Sequence, residues 1–480
     1  MAEKYDVVII GAGIGGLVCG CYLAKAGLRV LIVEKNDKPG GYCTSFERNG
    51  YRFDVGVHYL GGIKRGVLGK ILEELNVKDE IKFHQFDPTD KIIMPDNVTY
   101  IRANPYDTIK EFKKSFPKEK RNIERFFKFI MQKDFLEIYK KTKKVTFKQL
   151  LDEFFEDYKL KGTINALLGN IGVHGSIASG LSGAILYREF ILDPGYYPEG
   201  GMQSFSDALA NKFKEYGGEI IFSTKIKKFL TDGKKIKKIL IERNNKEIFS
   251  NTVVCNNDVR KTFRELLDIR TKEYNVVKKL KMSPSIFGIY LGIKQKKDKI
   301  KKYPCTWVSG SYSLNAPFTP SARRLLKGNF SLAMFTFFPV SKLKASIEIF
   351  TLVPFISDNF WKNASLKALI KRLIKTAQEE FSFEKSNIEA REMATPFTFE
   401  IYTLNTHGVA FGWKSSVDQI KASTFPLETS VKGLFIAGQW GAVGSGQGGI
   451  PKVAFCGRKT AQLVLKCFEK KWRYSIQLIT

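Results

Sequence analysis

Three glycines near the start of the chain, Gly11, Gly13 and Gly16, stand in the order G-x-G-x-x-G. That spacing suits the binding of a dinucleotide. The first glycine permits a tight turn after a strand, the second lets backbone approach a pyrophosphate, and the third lets the following helix pack closely on the strand. Ile14 and Gly15 complete the loop at the helix N-terminus, whose free N–H groups and positive potential favour phosphate. Glu34 lies at about the 20-residue offset where an acid takes ribose hydroxyls, and Lys35 follows it. A carboxylate there opposes a 2′-phosphate, so the site suits FAD or NAD over NADP.

These residues must be held by a strand–turn–helix–strand unit, and the sequence supplies one. Residues 5–10 (YDVVII) form a continuous apolar run, as expected of a central parallel strand covered on both faces. Leu17, Cys21 and Ala24 then recur at helical spacing, Gly27 ends the helix, and 28–33 (LRVLIV) is a second strand closed by Glu34. From 80 to 160 the texture becomes Lys- and Phe-rich and reads as helical. Alternating, strand-like sequence begins at Gly217-Gly218 and runs through 254, with Asp232-Gly233 as a hairpin turn. Residues 281–424 read as a second mixed region. A buried strand at 433–438 (GLFIAG), a Gly-rich loop and a helix over 451–468 return to the first texture.

Further motifs separate FAD from NAD. Pro39-Gly40-Gly41 followed by Gly50 to Gly56 (GYRFDVG) resembles the second flavin signature of the amine oxidase superfamily. Leu434 to Gly438 with Gly446-Gln447-Gly448-Gly449-Ile450-Pro451 and Gly457 resembles its closing flavin motif. Tyr197 to Met202 (YPEGGM) and Val253 to Asp258 (VVCNND) match two more landmarks of its phytoene desaturase branch. On these residues the chain resembles the phytoene desaturase, carotenoid isomerase and retinol saturase family of FAD-dependent oxidoreductases. The resemblance covers the first 65 residues, 195–260 and 395–465. It departs at Tyr42, where the family often has Arg, and at Gln439-Trp440, where an acidic form is common. The stretch 53–61 (FDVGVHYLG) looks more like the retinol saturase and carotenoid isomerase side.

The resemblance implies an α/β fold, with a Rossmann-like FAD-binding domain of glutathione-reductase type interleaved with an α+β substrate domain. The nucleotide-binding parts are placed at 1–78, 191–262 and 425–468. A helical, basic part facing substrate or membrane falls at 79–190, a substrate domain with mixed sheet at 263–424, and a basic-aromatic tail at 469–480. It also implies non-covalent FAD held by Gly11, Gly13, Ile14, Gly15, Gly16, Glu34, Lys35, Gly40, Gly41, Val57, His58, Ile226, Asn256, Gly438, Gln439, Gly448, Gly449 and Ile450. His58 is the candidate catalytic residue, because a positioned histidine could protonate or deprotonate a substrate carbon. A hydrogen-bonded structural histidine is the other reading. Cys456 is read as a packed thiol rather than a flavin attachment point.

The expected substrate is a hydrophobic isoprenoid polyene or lipid, desaturated, saturated or isomerised beside the flavin, with quinone or oxygen as possible electron acceptor. The alternative is an amine oxidase working on a soluble amine. The 78 Lys and Arg against 48 Asp and Glu leave a formal charge of +30. No nucleic-acid module appears, so an anionic membrane surface is the expected basic-face partner. Between Lys110 and Lys148 fourteen basic and five acidic residues interleave with phenylalanines, as on a monotopic docking surface. Residues 162–187 carry no charge apart from their His but are broken by glycines, and read as buried or membrane-skimming helices rather than a span. Seven scattered cysteines without a CxxC pair and only four histidines argue against a disulfide scaffold or a metal cluster. With no leader-like N-terminus, the expected location is cytoplasmic, peripheral to a membrane.

Overall fold

The computed structural model describes residues 4–132, 134–242, 246–294, 305–315, 318, 321–422, 425–441 and 449–468. Five short strands form one parallel sheet, in the order Leu434–Ile436, Val253–Cys255, Val7–Ile10, Val30–Val33 and Glu219–Ile221. Side chains of successive residues point to opposite faces, and both faces are covered. Val7, Ile9, Val30 and Ile32 pack beneath the helices Ile14–Lys25, Met202–Glu215 and Ile450–Cys467. Val8, Ile10, Leu31 and Val33 face the antiparallel sheet of Ile226–Asp232, Lys235–Ile241 and Glu247–Phe249. Burial on both sides is why these strands read as unbroken apolar runs.

The second sheet has seven strands. Their order is Ile388–Ala394, Ser285–Lys294, Lys344–Val353, Leu332–Pro339, Cys305–Ser309, Asp90–Met94 and Asn97–Ile101. Neighbours are antiparallel except Cys305–Ser309 beside Asp90–Met94, which is parallel. One face carries Phe287, Ile289, Phe335, Phe337 and Ile347 and packs on the helix Lys367–Phe381 through Leu369, Leu373 and Phe381. The other face carries Ile286, Trp307, Leu332, Met334, Phe350 and Leu352 and turns toward the nucleotide domain. The two-domain α/β arrangement is therefore as expected.

Three sequence readings change. Residues 79–190 are not simply helical: Asp90–Met94 and Asn97–Ile101 form a hairpin that completes the seven-stranded sheet. The heavy Lys and Phe content beyond residue 105 masked this short alternating stretch. The phenylalanines of 110–148 do not make a docking face either. Phe112, Phe116, Phe126 and Phe127 are buried in the core, and Phe135 is the one of the set that stands well exposed. The uncharged stretch 162–187 is interior, comprising the end of the helix Tyr158–Ala166, a tight turn over Leu167–Ile171 and the helix Gly180–Leu186, nearly all of it buried. No helix among the described residues is long and apolar enough to cross a membrane. The tail 469–480 lies outside the described residues.

Candidate active site

A single continuous cleft runs between the two sheets, and the glycine loop forms one end of it. Gly11 has φ +97°, a left-handed conformation that favours glycine, and its N–H donates to the Val33 carbonyl at 2.8 Å. A Cβ on Gly16 would fall 2.2 Å from the Gly11 carbonyl oxygen, so the third glycine serves close packing and does not line the cleft. Gly15 sits against Gly438, where a Cβ would meet its Cα at 2.5 Å, and this contact joins the first and last parts of the nucleotide domain. Asn256 locks the loop from the second part: its Nδ2 donates to the carbonyls of Gly11 at 3.1 Å and Gly13 at 3.4 Å.

Glu34 is buried at the end of its strand. One carboxylate oxygen accepts the Ala12 N–H at 2.7 Å and the other the Asn36 N–H at 2.8 Å. Burial pushes its pKa up, and the two backbone donors and Lys35 oppose the rise. Each carboxylate oxygen keeps a lone pair for a ribose hydroxyl. Lys35 reaches the carbonyls of Ile401 and Tyr402 at the end of the helix Pro396–Thr403, and Ile226 lines the same end of the cleft.

Gly40 (φ +119°) donates its N–H to the Ala12 carbonyl at 2.9 Å, and Gly41 (φ +62°) lies beside Gly13. The aspartate of the second signature, Asp54, is buried and accepts from Ser45, Tyr197 and the Met202 N–H. Its own N–H donates to Glu348 at 2.6 Å, which ties this signature to the seven-stranded sheet. Burial and mutual repulsion push the Glu348 carboxyl well above its usual range.

Gly11, Gly13, Ile14, Gly15, Glu34, Lys35, Gly40, Gly41, Val57, His58, Ile226, Asn256, Gly438, Gln439, Gly449 and Ile450 all line this cleft. Gly448 lies outside the described residues. Cys456 is buried and absent from the cleft lining, and burial pushes its thiol up to about 12. The open backbone at the glycine loop, the ribose-side carboxylate and the continuation past Val57 and Gln439 fit an FAD dinucleotide, and FAD is the cofactor this cleft accommodates.

Beyond Gly41 the lining becomes apolar. Cross-strand pairing sets Trp307 beside Met334 and Met334 beside Phe350, with Leu352 opposite Ile286. Leu186, Phe190 and Phe411 face this floor from the helical side. Gly169 has no room for a Cβ, which would come within 2.4 Å of the Trp307 ring. Asp90 anchors the wall from behind. It accepts from the Trp307 indole at 2.9 Å, Tyr59 at 2.7 Å and Thr89 at 2.9 Å, and burial raises its pKa.

His58 belongs to this wall. Its ring lies edge-on to Tyr59 at 4.5 Å and within 6.3 Å of Phe190 and Trp307. Nε2 is buried without a hydrogen-bond partner, and burial alone pushes the imidazole down to about 3. The ring is therefore neutral at ordinary pH: a hydrogen-bonding group, neither a resting proton donor nor a strong base. Tyr42, in the place of the family's arginine, donates to the Val409 carbonyl at 3.0 Å, and burial pushes its hydroxyl up to about 12.

Sequence reasoning missed Trp307, Met334 and Phe350, whose place depends on strand register, and Asp90, whose role depends on the unrecognised hairpin. It also missed Lys452, which lines the cleft in the first turn of the helix Ile450–Cys467. A signal was present there, since a cation in a helix's first turn opposes the helix dipole.

A Rossmann-type nucleotide sheet joined to a mixed sheet across one buried cleft defines the class: a two-domain dinucleotide-binding protein of the flavin oxidoreductase fold. A family model described as "NAD(P)-binding Rossmann-like domain" matches residues 9–75. The chain is 31% identical over 332 residues to prolycopene isomerase 1, chloroplastic, of an Oncidium hybrid cultivar, covering 61% of this chain and 55% of that protein. It is 27% identical over 346 residues to rat all-trans-retinol 13,14-reductase, covering 62% and 55%. The chain thus spans little more than half the length of these curated relatives. Its fold matches an oxidoreductase from Methanosarcina mazei with TM-score 0.67 at 17% identity, over 98% of this chain and 100% of the other. The family resemblance read from the motifs is borne out: the chain is similar to a prolycopene isomerase and to a retinol 13,14-reductase.

Proposed function

We propose that the protein is an FAD-dependent oxidoreductase acting on C–C or C=C bonds of a hydrophobic isoprenoid polyene. The observation that carries this reading is the apolar floor of Ile286, Trp307, Leu332, Met334, Phe350 and Leu352, continuous with the dinucleotide cleft. Bound FAD supplies hydride chemistry at its ring. The chain's part is to hold a long apolar substrate against that ring and to exclude water. Trp307 and Tyr59, both tethered to Asp90, fix the wall. Among the described residues the carboxylates lining the cleft are Glu34 and Glu265, and none of the residues of the apolar floor offers a counter-charge to an ammonium group. This disfavours the amine oxidase alternative.

His58 is the candidate catalytic residue of this reading. Uncharged and in the chamber wall, it is suited to hydrogen-bond substrate rather than to take up a proton, because burial makes the imidazole a weak base. The protein works at an anionic membrane surface, from which a polyene is drawn. Support comes from two adjacent exposed apolar residues, Phe135 at 54% and Leu136 at 55% exposure, on a helix that also carries Lys140 and Lys141 and packs on Gly180–Leu186. Leu186 is itself a cleft residue. The electron acceptor, where net oxidation occurs, is a quinone or oxygen.

The test is anaerobic incubation of the flavin-loaded protein with a C40 polyene, and of the reduced protein with a retinoid. Bleaching of the visible flavin band by the first, or its return with the second, is the expected result. Peroxide release with polyamines and no response to either polyene would overturn the proposal.

A further inference from the structure

Lys452 is a buried cation with no counter-ion among the described residues. It is 5% exposed and sits one turn before Cys456 on the same helix face. No carboxylate among the described residues acts on it; Cys456 is the neighbour that does. Burying an ammonium group without a partner is costly, and proteins retain such a group where a ligand supplies the missing charge. Lys452 lines the cleft together with Gly11, Gly13, Gly15 and Gly449.

The surroundings point to the sign and the size of that charge. The helix Ile450–Cys467 begins at the cleft, and its N-terminal end is positive. It crosses the helix Ile14–Lys25 closely: a Cβ on Gly457 would fall 2.3 Å from the Gly15 carbonyl oxygen. A positive helix end and an ammonium group therefore face the same cleft that the glycine loop lines. An apolar polyene has nothing to offer there, whereas a pyrophosphate carries two negative charges.

We infer that Lys452 clamps the pyrophosphate of the dinucleotide, adding a charged side chain to a site that otherwise relies on backbone N–H groups. The inference rests on the FAD reading above. In the bound state the ammonium group donates to a phosphate oxygen, and the helix end beside it is compensated at the same time. Lys452 is a binding residue, with no part in the redox step.

The test compares FAD with riboflavin, which has the same ring and no phosphate. The full-length protein is stripped of flavin and titrated with each, following flavin fluorescence, for the native chain, Lys452→Met and Lys452→Arg. Lys452→Met is expected to weaken FAD by about 10–100-fold and to leave riboflavin unchanged, with Lys452→Arg recovering most of the loss. The thermal midpoint of the stripped Lys452→Met protein should equal or exceed that of the native chain, which a merely structural lysine would not allow. Unchanged FAD affinity in Lys452→Met overturns the inference, and so does an equal loss for riboflavin, which would place the lysine at the ring. A native chain that binds neither flavin overturns the cofactor reading itself, and the inference with it.

Discussion

At the nucleotide end of the cleft the surface is mostly backbone: glycines at 11, 13, 15, 40, 41 and 438, braced by Asn256 and ending at Glu34. At the other end it is mostly large side chains presented by four strands of the second sheet. At Gly15 and Gly40 the first end has no room for an added atom, because main chain meets main chain there, and a positive φ holds Gly11 and Gly41 to glycine. The second is fixed by packing and by one buried carboxylate, Asp90, so its shape can change while the sheet persists. A dinucleotide common to many enzymes needs the rigid kind of surface. A substrate chamber needs the adjustable kind.

Separate substitutions should break the two ends independently. The largest effect is expected for Gly16→Val, whose Cβ would collide with the Gly11 carbonyl oxygen. The protein should purify colourless and stay so in added FAD, as absorbance will show, while the far sheet is untouched. Trp307→Ala comes next. Losing a buried indole that donates to Asp90 should cost about 3–5 kcal/mol in denaturant unfolding and weaken polyene binding by about 10–200-fold, with flavin retained. A colourless Trp307→Ala protein would show that the two ends are not independent.

A third prediction concerns pH. Burial lowers the Lys452 pKa to about 8 in the folded chain, below the ordinary lysine value of about 10.4. The folded state therefore disfavours the protonated form, and this penalty is full below pH 8. It fades as pH rises toward the unfolded value. Stripped Lys452→Met should be more stable than native by on the order of 3 kcal/mol at pH 7, the gap closing toward pH 10 in urea titrations. The smallest effect on the fold is expected for Phe135→Asp with Leu136→Asp. Unfolding should shift by less than about 0.5 kcal/mol, while sedimentation with anionic vesicles falls sharply. Unaltered sedimentation would remove this helix from the membrane reading.

The same contrast explains what the chain's sequence disclosed. The glycine loop, Glu34 and the closing helix were legible because phosphate and ribose demand particular residue types within a short span. Asn256 and Gly438 were reachable because the motif around each is nearly as restrictive. The chamber was not legible: Trp307, Met334 and Phe350 become neighbours only through strand register between segments, and any large apolar residue could have stood there. His58 was found by position, but its neutrality follows from burial that only the folded chain reveals. The phenylalanines of 110–148 misled for a related reason. Aromatic residues between lysines fit a docking face and a buried helix face equally well, and here most are core.

The nucleotide sheet draws its strands from both extremes of the chain, beginning at Val7–Ile10 and ending with Leu434–Ile436 on its edge. During synthesis Val7–Ile10 must wait for Val253–Cys255 to pair on that side, and Val253–Cys255 in turn waits for Leu434–Ile436. The cleft is therefore closed late, since Gly438, Gln439, Gly449 and Ile450 line it, and a product truncated before residue 434 would emerge as a chaperone client rather than a yellow protein.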